Sequence, residues 1–438
     1  MKNRYVFNRI IRCSNRCGLL LLLVVGGLVQ AEDGTQDAFL SLAEARSIAV
    51  VKNPGLAEMQ ERYEALTHIA PQMGSLPDPI LSLNAMNLPW NSFDLNQENM
   101  TQIQLGVSQV FPFPGKLSLR EDVALFEAEA ALFSAEEMRL NLDMNVTVTW
   151  WEMYFLDRSL ETIKQNQSLL RQFVEIAETK YEVGKGLQQD VLLAQLELSK
   201  LLDQEIRLNT MRDHRAIRLN VLMDVSPEIP VLLPVMMPQP AMSIAAEPLL
   251  YQRATKNRPI LRQEEAAISA SESRLALAKK GYYPDFKLGV AYGNRRDNPL
   301  GKHRDDFLSV MLSLNIPLYA GSKQSKAVEQ RTRELAKNRY SLVDQRNLVF
   351  SSIATASADH QQATDQVSLF SEGIVPQARQ TVESMLAGYQ VDQVDFLNLV
   401  RSQITLLNYE LQYWKAFTEV KQSLARLRAA VGEENIYE

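Results

Sequence analysis

The chain has 438 residues, 46% of them hydrophobic, with 46 basic and 52 acidic side chains and a net charge of −6. That acidic balance excludes a polyanion such as nucleic acid as a partner. The two cysteines, Cys13 and Cys17, both stand near the start, which excludes a disulfide framework or thiol chemistry from the rest.

Residues 1–31 read as a cleaved signal peptide. Lys2, Arg4, Arg9, Arg12 and Arg16 form a basic start, Leu19 to Val29 an apolar run, and Val29-Gln30-Ala31 a small-residue cleavage site. The run is too short for the ~20 residues of a membrane-spanning helix. Removing five basic residues and no acids leaves 41 basic against 52 acidic, or 41 − 52 = −11. A lipid anchor needs a cysteine just after the apolar run, and none stands there. Since no later stretch reads as a membrane helix, any entry into a bilayer would be as strands.

In chain order, Ser41-Leu42-Ala43-Glu44 is a capping box that opens a helix to about Met73, interrupted at Asn53-Pro54-Gly55. Ser75-Leu76-Pro77-Asp78-Pro79 stops it. Period-two alternation over Ile80–Met86 and Thr101–Val107, around an Asn-rich connection, predicts a hairpin within residues 80–110. Phe111-Pro112-Phe113-Pro114-Gly115-Lys116 ends the second strand, because proline cannot continue a ladder. From Leu117 to Tyr181 no Pro or Gly occurs, which predicts a helix of roughly 100 Å. After a bend, the return segment keeps a seam at Leu187, Val191, Ala194, Leu198, Leu201 and Leu208.

A Pro- and Met-rich connector, 226–243, separates this first repeat, 32–225, from a second, 244–438. Tyr389-Gln390-Val391-Asp392 repeats Tyr181-Glu182-Val183-Gly184 after 208 residues, since 389 − 181 = 208. The second hairpin falls at 286–316, and Pro317 and Gly321 stand where Pro112, Pro114 and Gly115 stood. A long helix from about Ser322 is disturbed at Gly373 and Pro376 and resumes to Gly388. The last helix, to about Leu427, has its seam at Phe396, Leu399, Leu406, Tyr413, Phe417, Val420 and Leu424.

The fold class expected is mainly α with a small β part: a twofold repeat of long coiled-coil helices, each copy with one β-hairpin. In each repeat the shorter helices stack end to end beside the long one. Four strands cannot close a barrel, and an open edge cannot survive in lipid. Closure therefore needs several chains, two giving eight strands or three giving twelve, and only the larger ring leaves a wide lumen.

In these motifs the chain resembles the TolC-type outer-membrane efflux channels over nearly its whole length. The carrying residues are Leu76-Pro77-Asp78-Pro79, Phe111 to Lys116, Tyr181 to Gly184, Val375-Pro376-Gln377-Ala378 and Val394-Asp395-Phe396-Leu397. The resemblance implies a homotrimer with a twelve-stranded barrel in outer-membrane lipid and a periplasmic helical tunnel. It also implies a periplasmic adaptor (membrane fusion) protein and an inner-membrane pump as partners. The strand–helix junctions and the Val-Asp-Phe-Leu run are most similar to the branch serving heavy-metal cation pumps of the resistance-nodulation-division (RND) type.

By matching positions, the resemblance makes Val183, Gly184, Leu187, Val391 and Asp392 the tip that docks the adaptor. The match departs at Asp392, where the first copy has Gly184, so the second docking groove lacks its glycine. Members narrow this tip with aspartates, and the matching positions here are Asn398 and Arg401. The neighbouring Asp392 and Asp395 would constrict the tip and favour cations. The plainer alternative makes them solvated helix-end charges, with Asp395 capping the last helix.

No cofactor or metal is expected. His68, His214, His303 and His360 lack ligand spacing and read as solvated, while Met236, Met237 and Met242 read as packing between prolines rather than as copper(I) ligands. Trp150, Trp151 and Tyr154 read as wall packing. No phosphate loop, nucleophile elbow or carboxylate pair suggests an enzyme. The alternatives are a periplasmic coiled-coil adaptor, or the same channel serving drug or type I protein export.

Overall fold

The computed structural model describes residues 39–235 and 244–437. The signal peptide, Cys13, Cys17, Met236, Met237 and Met242 lie outside the described residues.

Three short helices open the chain: α1 (Leu42–Lys52), α2 (Pro54–Thr67) and α3 (Ile69–Gly74). The Ser41 hydroxyl accepts from the Glu44 amide at 3.2 Å, half of the expected capping box. Asn53 caps α2 by accepting from the Leu56 amide, and Pro54 supplies a first helical residue that needs no donor. The single helix expected to Met73 is broken once more, at His68. Pro71 removes the amide that would bond Thr67 and crowds its carbonyl.

After the strands β1 (Ile80–Met86) and β2 (Gln102–Phe111), α4 runs unbroken for 67 residues, Lys116–Glu182. It returns as α5 (Gln188–Leu222). The second half gives α6 (Glu247–Asn257), α7 (Pro259–Lys280), β3 (Phe286–Asn294), β4 (Phe307–Leu314), α8 (Gln324–Ser368), α9 (Val375–Gln390) and α10 (Phe396–Val431).

Between α8 and α9 the chain makes a π-helical turn, Leu369–Ile374. The disturbance expected at Gly373 and Pro376 is thus a widened turn, and the rod continues through it. A proline inside a helix loses one hydrogen bond and clashes with the carbonyl four residues back. A π turn relieves both by shifting the bonding to i→i+5.

Helix α4 is the spine, with α2, α5, α7 and α10 packed along it. The shorter helices stack end to end as their lengths require. The Asn53 amide, at the α1–α2 junction, donates to the Leu222 carbonyl at the end of α5. Gly432, just past α10, approaches the backbone of Asn257 and Arg258 at the α6–α7 junction. Each return helix therefore ends against the matching break in its own repeat.

One core sits at mid-length, where Trp150, Trp151, Tyr154 and Phe417 bury their rings together. The Trp150 indole donates to the Leu40 carbonyl at 3.1 Å, tying the start of the described chain to α4. A second core joins Ile163, Leu170, Phe173, Ala194 and Leu201 to Tyr389, Phe396 and Leu399. Leu187, expected in that seam, lies outside it and exposed at the start of α5. His360 departs from its expected solvated state. It is buried between α8 and α10, with Nδ1 3.3 Å from the Ser423 hydroxyl, and burial lowers its pKa.

Candidate functional site

The four strands form one antiparallel sheet in the order β1-β2-β3-β4, so the two hairpins join through β2 and β3. The register sets Leu83 against Leu105, Leu105 against Tyr292 and Tyr292 against Leu308. The next row sets Leu81, Val107, Val290 and Val310 together. One face is thus apolar across all four strands, and it is bare: Leu83 is 73% and Leu308 72% exposed. The opposite face holds Ser82, Gln104, Gly106, Ala291, Gly293 and Ser309, and there Gly106, Gly289 and Gly293 are covered. This is the reverse of a sheet that meets water on its outside. Strands β1 and β4 each keep one unpaired edge among the described residues.

Below the sheet the chain turns into helix within a few residues. Pro112 and Pro114 stop β2, and Gly115 takes the left-handed conformation (φ 85°) just before α4. Asp285, entering β3, holds this corner. Its carboxylate accepts from the Phe113 amide at 2.7 Å and from Lys116 Nζ at 2.8 Å. Burial pushes the Asp285 pKa up, but Lys116 and the Phe113 amide outweigh it, and the net shift is downward. The second junction differs: Pro317 follows β4, yet Gly321 has no left-handed φ and faces open space.

At the far end the two bends are the same turn. The Gly184 amide bonds the Tyr181 carbonyl and the Lys185 amide the Lys180 carbonyl. The Asp392 amide bonds the Tyr389 carbonyl and the Gln393 amide the Gly388 carbonyl, each displaced by 208 residues. Gly184 sits at φ 73° and Asp392 at φ 59°, so Asp392 keeps the glycine's left-handed conformation. Aspartate tolerates that region better than most residues, because its short polar side chain can bond locally.

Here the local partner comes from the other bend. Lys180 Nζ lies 2.5 Å from Asp392 Oδ1, donates to the Tyr389 carbonyl and sits 4.3 Å above the Tyr389 ring. The position matching Lys180 in the second repeat is Gly388, where an added Cβ would strike Val394 at 2.5 Å. Val394 in turn matches Gly186, whose Cβ would strike Lys180. Large and small residues are exchanged between the two bends, so only the first sends a cation across to the second.

Three carboxylates gather here. Asp190 is buried at the start of α5, and burial and then Asp395 raise its pKa. Tyr389 is pushed up to about 12, first by burial and then by Asp190, Asp392 and Asp395. Its buried hydroxyl has no hydrogen-bond partner among the described residues. Lys180 holds the Asp392 carboxylate below its usual range.

Asp395 occupies the N-cap position of α10, where its carbonyl accepts from Asn398 and Leu399, but its side chain makes no capping bond. Asn398 and Arg401 are exposed along the following turns. Val183, Leu187 and Val391 are bare apolar side chains around the bends. Among the described residues no group of three or more His, Cys, Asp or Glu could hold a metal ion, and no helix is long and apolar enough to cross a membrane.

The profile of the outer membrane efflux protein family matches residues 45–224 and 250–433. The chain belongs to that family. Solved channels share the fold. VceC from Vibrio cholerae is 16% identical at a TM-score of 0.76, covering 90% of this chain and 97% of its own. The outer-membrane channel OprN is 15% identical at 0.76, covering 89% of each chain. CusC, described for its transmembrane channel formation, is 14% identical at 0.75 and covers 90% of this chain and 93% of its own. No curated protein matches by sequence.

Membership makes the chain an outer-membrane efflux channel, a passive duct and not an enzyme, and it removes the adaptor alternative. Sequence reading missed Lys180, Asp190 and Tyr389 at the tip. The 208-residue offset did contain a signal, since Tyr389 repeats Tyr181 and Lys180 faces a glycine in the alignment of the two copies.

Proposed function

We propose that three copies join β1 to β4 around a ring of twelve strands, three times four, with the helices continuing as a tunnel into the periplasm. The observation that carries this reading is the sheet with its apolar face bare and both edges unpaired. In lipid that face is the stable exterior and unpaired edges are untenable, so neighbouring copies must close them. The opposite face, with its polar and small side chains, then lines a water-filled lumen. Outer-membrane placement requires export, which the signal peptide composition of residues 1–31, with no lipid anchor, would supply.

The tip would dock a periplasmic adaptor through Val183, Gly184, Leu187 and Val391, with Asp392 conserving the shape of the second bend. The adaptor would link the duct to an inner-membrane RND-type pump. Asp392 and Asp395, beside Asn398 and Arg401, would set the constriction. The ion pair with Lys180 offsets the Asp392 charge and leaves Asp395 the stronger cation-favouring group. Domain boundaries at 32–225, 226–243 and 244–438 complete the proposal.

The cargo proposed is a heavy-metal cation, on the resemblance of the strand–helix junctions and the Val-Asp-Phe-Leu run. Planar-bilayer conductance with a heat-modifiable oligomer tests the duct, and a chain giving no channels would refute it. Loss of the chain should then sensitise cells to heavy-metal cations. Sensitivity to hydrophobic drugs alone, or loss of a secreted protein, would assign the duct to drug or type I export instead.

A further inference from the structure

We propose that the rim joining sheet to helices binds anionic phospholipid headgroups through Lys279, Lys280 and Lys323. The inference rests on the reading of the sheet as a lipid-facing barrel wall. At this level three chain segments converge. A Cβ on Gly115, before α4, would lie 3.6 Å from Lys280 Cε, and one on Gly281, after α7, would lie 3.9 Å from Gln324 at the start of α8. The last rungs of the bare face, Phe111–Phe286 and Phe286–Leu314, end just above.

An aromatic band follows. Phe113 stacks on Tyr283 with centroids 4.5 Å apart, and Lys280 Nζ stands 5.4 Å and 5.9 Å from the two rings. Tyr282, Tyr283 and Tyr319 are exposed, Tyr319 by 75%. Aromatic rings at the edge of an apolar band mark the headgroup level of a barrel.

The lysines at this level divide into two kinds. Lys116 is paired with Asp285 and Lys326 with Glu329. Lys279, Lys280 and Lys323 have no carboxylate partner among the described residues. Lys279 and Lys280 close α7, where the helix dipole welcomes a cation. Lys323 precedes α8, where the dipole opposes one and favours an anion. An anionic headgroup shared by the α7 end and the α8 start satisfies both. Phosphate oxygens would meet the ammonium groups and the tyrosines, with acyl chains against the bare sheet.

The test reconstitutes the purified oligomer in nanodiscs of phosphatidylcholine with a minor share of phosphatidylglycerol, and measures retained lipids by native mass spectrometry. The wild type should retain phosphatidylglycerol about fivefold or more above its bulk share, as a basic residue near a headgroup layer implies. K279Q/K280Q/K323Q should fall to the bulk ratio with unchanged conductance, and the triple arginine variant should keep the enrichment. No enrichment in the wild type, or full enrichment in the glutamine variant, would overturn the inference. Normal conductance without lipid preference overturns it alone, whereas failure to enter any bilayer overturns the channel reading with it.

Discussion

The helical body and the sheet use one alternation of apolar and polar side chains in opposite senses. In the body Trp150, Met153, Tyr154 and Ile163 are sealed, while charged side chains such as Lys164 and Arg207 face out. In the sheet Leu83, Leu308, Val310 and Leu312 are bare, while Gly106, Gly289 and Gly293 are covered. The contrast lies in the surroundings, because burial follows whichever phase is least like the side chain. In the proposed channel one chain carries its water-facing and lipid-facing parts as two burial patterns, and the Asp285–Lys116 corner marks where one becomes the other.

The contrast can be broken at either end. Trp150→Ala should destabilise the body by about 3–5 kcal/mol, read as a lowered thermal midpoint, since it empties a ring-lined core and frees the Leu40 carbonyl. Val310→Arg should cost about 2–4 kcal/mol of barrel stability, seen as loss of the heat-resistant oligomer, whereas Ser309→Arg on the other face should leave the oligomer intact. Lys116→Met leaves Asp285 without its cation, and should cost about 1.5–3 kcal/mol, measured by urea unfolding in detergent.

His360 sharpens the body side. Its folded pKa lies below the ordinary value of 6.5, so folding favours the neutral ring. Stability is complete above that value and falls as pH drops through it, because the unfolded chain then binds a proton that the folded chain refuses. His360→Gln should flatten the decline between about pH 7 and 5. The smallest stability effect belongs to the tip. Lys180→Met releases Asp392 and Tyr389 from the first bend, and should leave the thermal midpoint unchanged while raising single-channel conductance.

Much of this was legible in the residues. Period-two runs gave the strands, and the Pro- and Gly-free stretch gave α4. Strand β2 runs on past the alternation that is clear to Val107 and stops at Phe111, where the proline-rich junction ends it as expected. There Gln109 stands on the apolar face, paired with Leu288, and its side-chain amide donates to the Pro77 carbonyl. The bends emerged from the repeat, but the Lys180–Asp392 pair did not. Its partners are 212 residues apart and meet only when the two helical bends lie side by side. Gly373 and Pro376 marked a disturbance without its geometry, since a helix can meet an internal proline by a kink, a break or a π turn. His360 carried no sequence sign of burial, because its partner Ser423 lies on another helix.

The central claim is that the apolar face of the sheet meets hydrocarbon and the opposite face meets water. Single cysteines along β4, in a chain lacking Cys13 and Cys17, can carry spin labels in the reconstituted oligomer. Labels at Leu308, Val310 and Leu312 should be relaxed by oxygen from the bilayer, and those at Ser309, Met311 and Ser313 by a water-soluble nickel complex, alternating residue by residue. Equal access of the nickel complex to both sets would contradict the account.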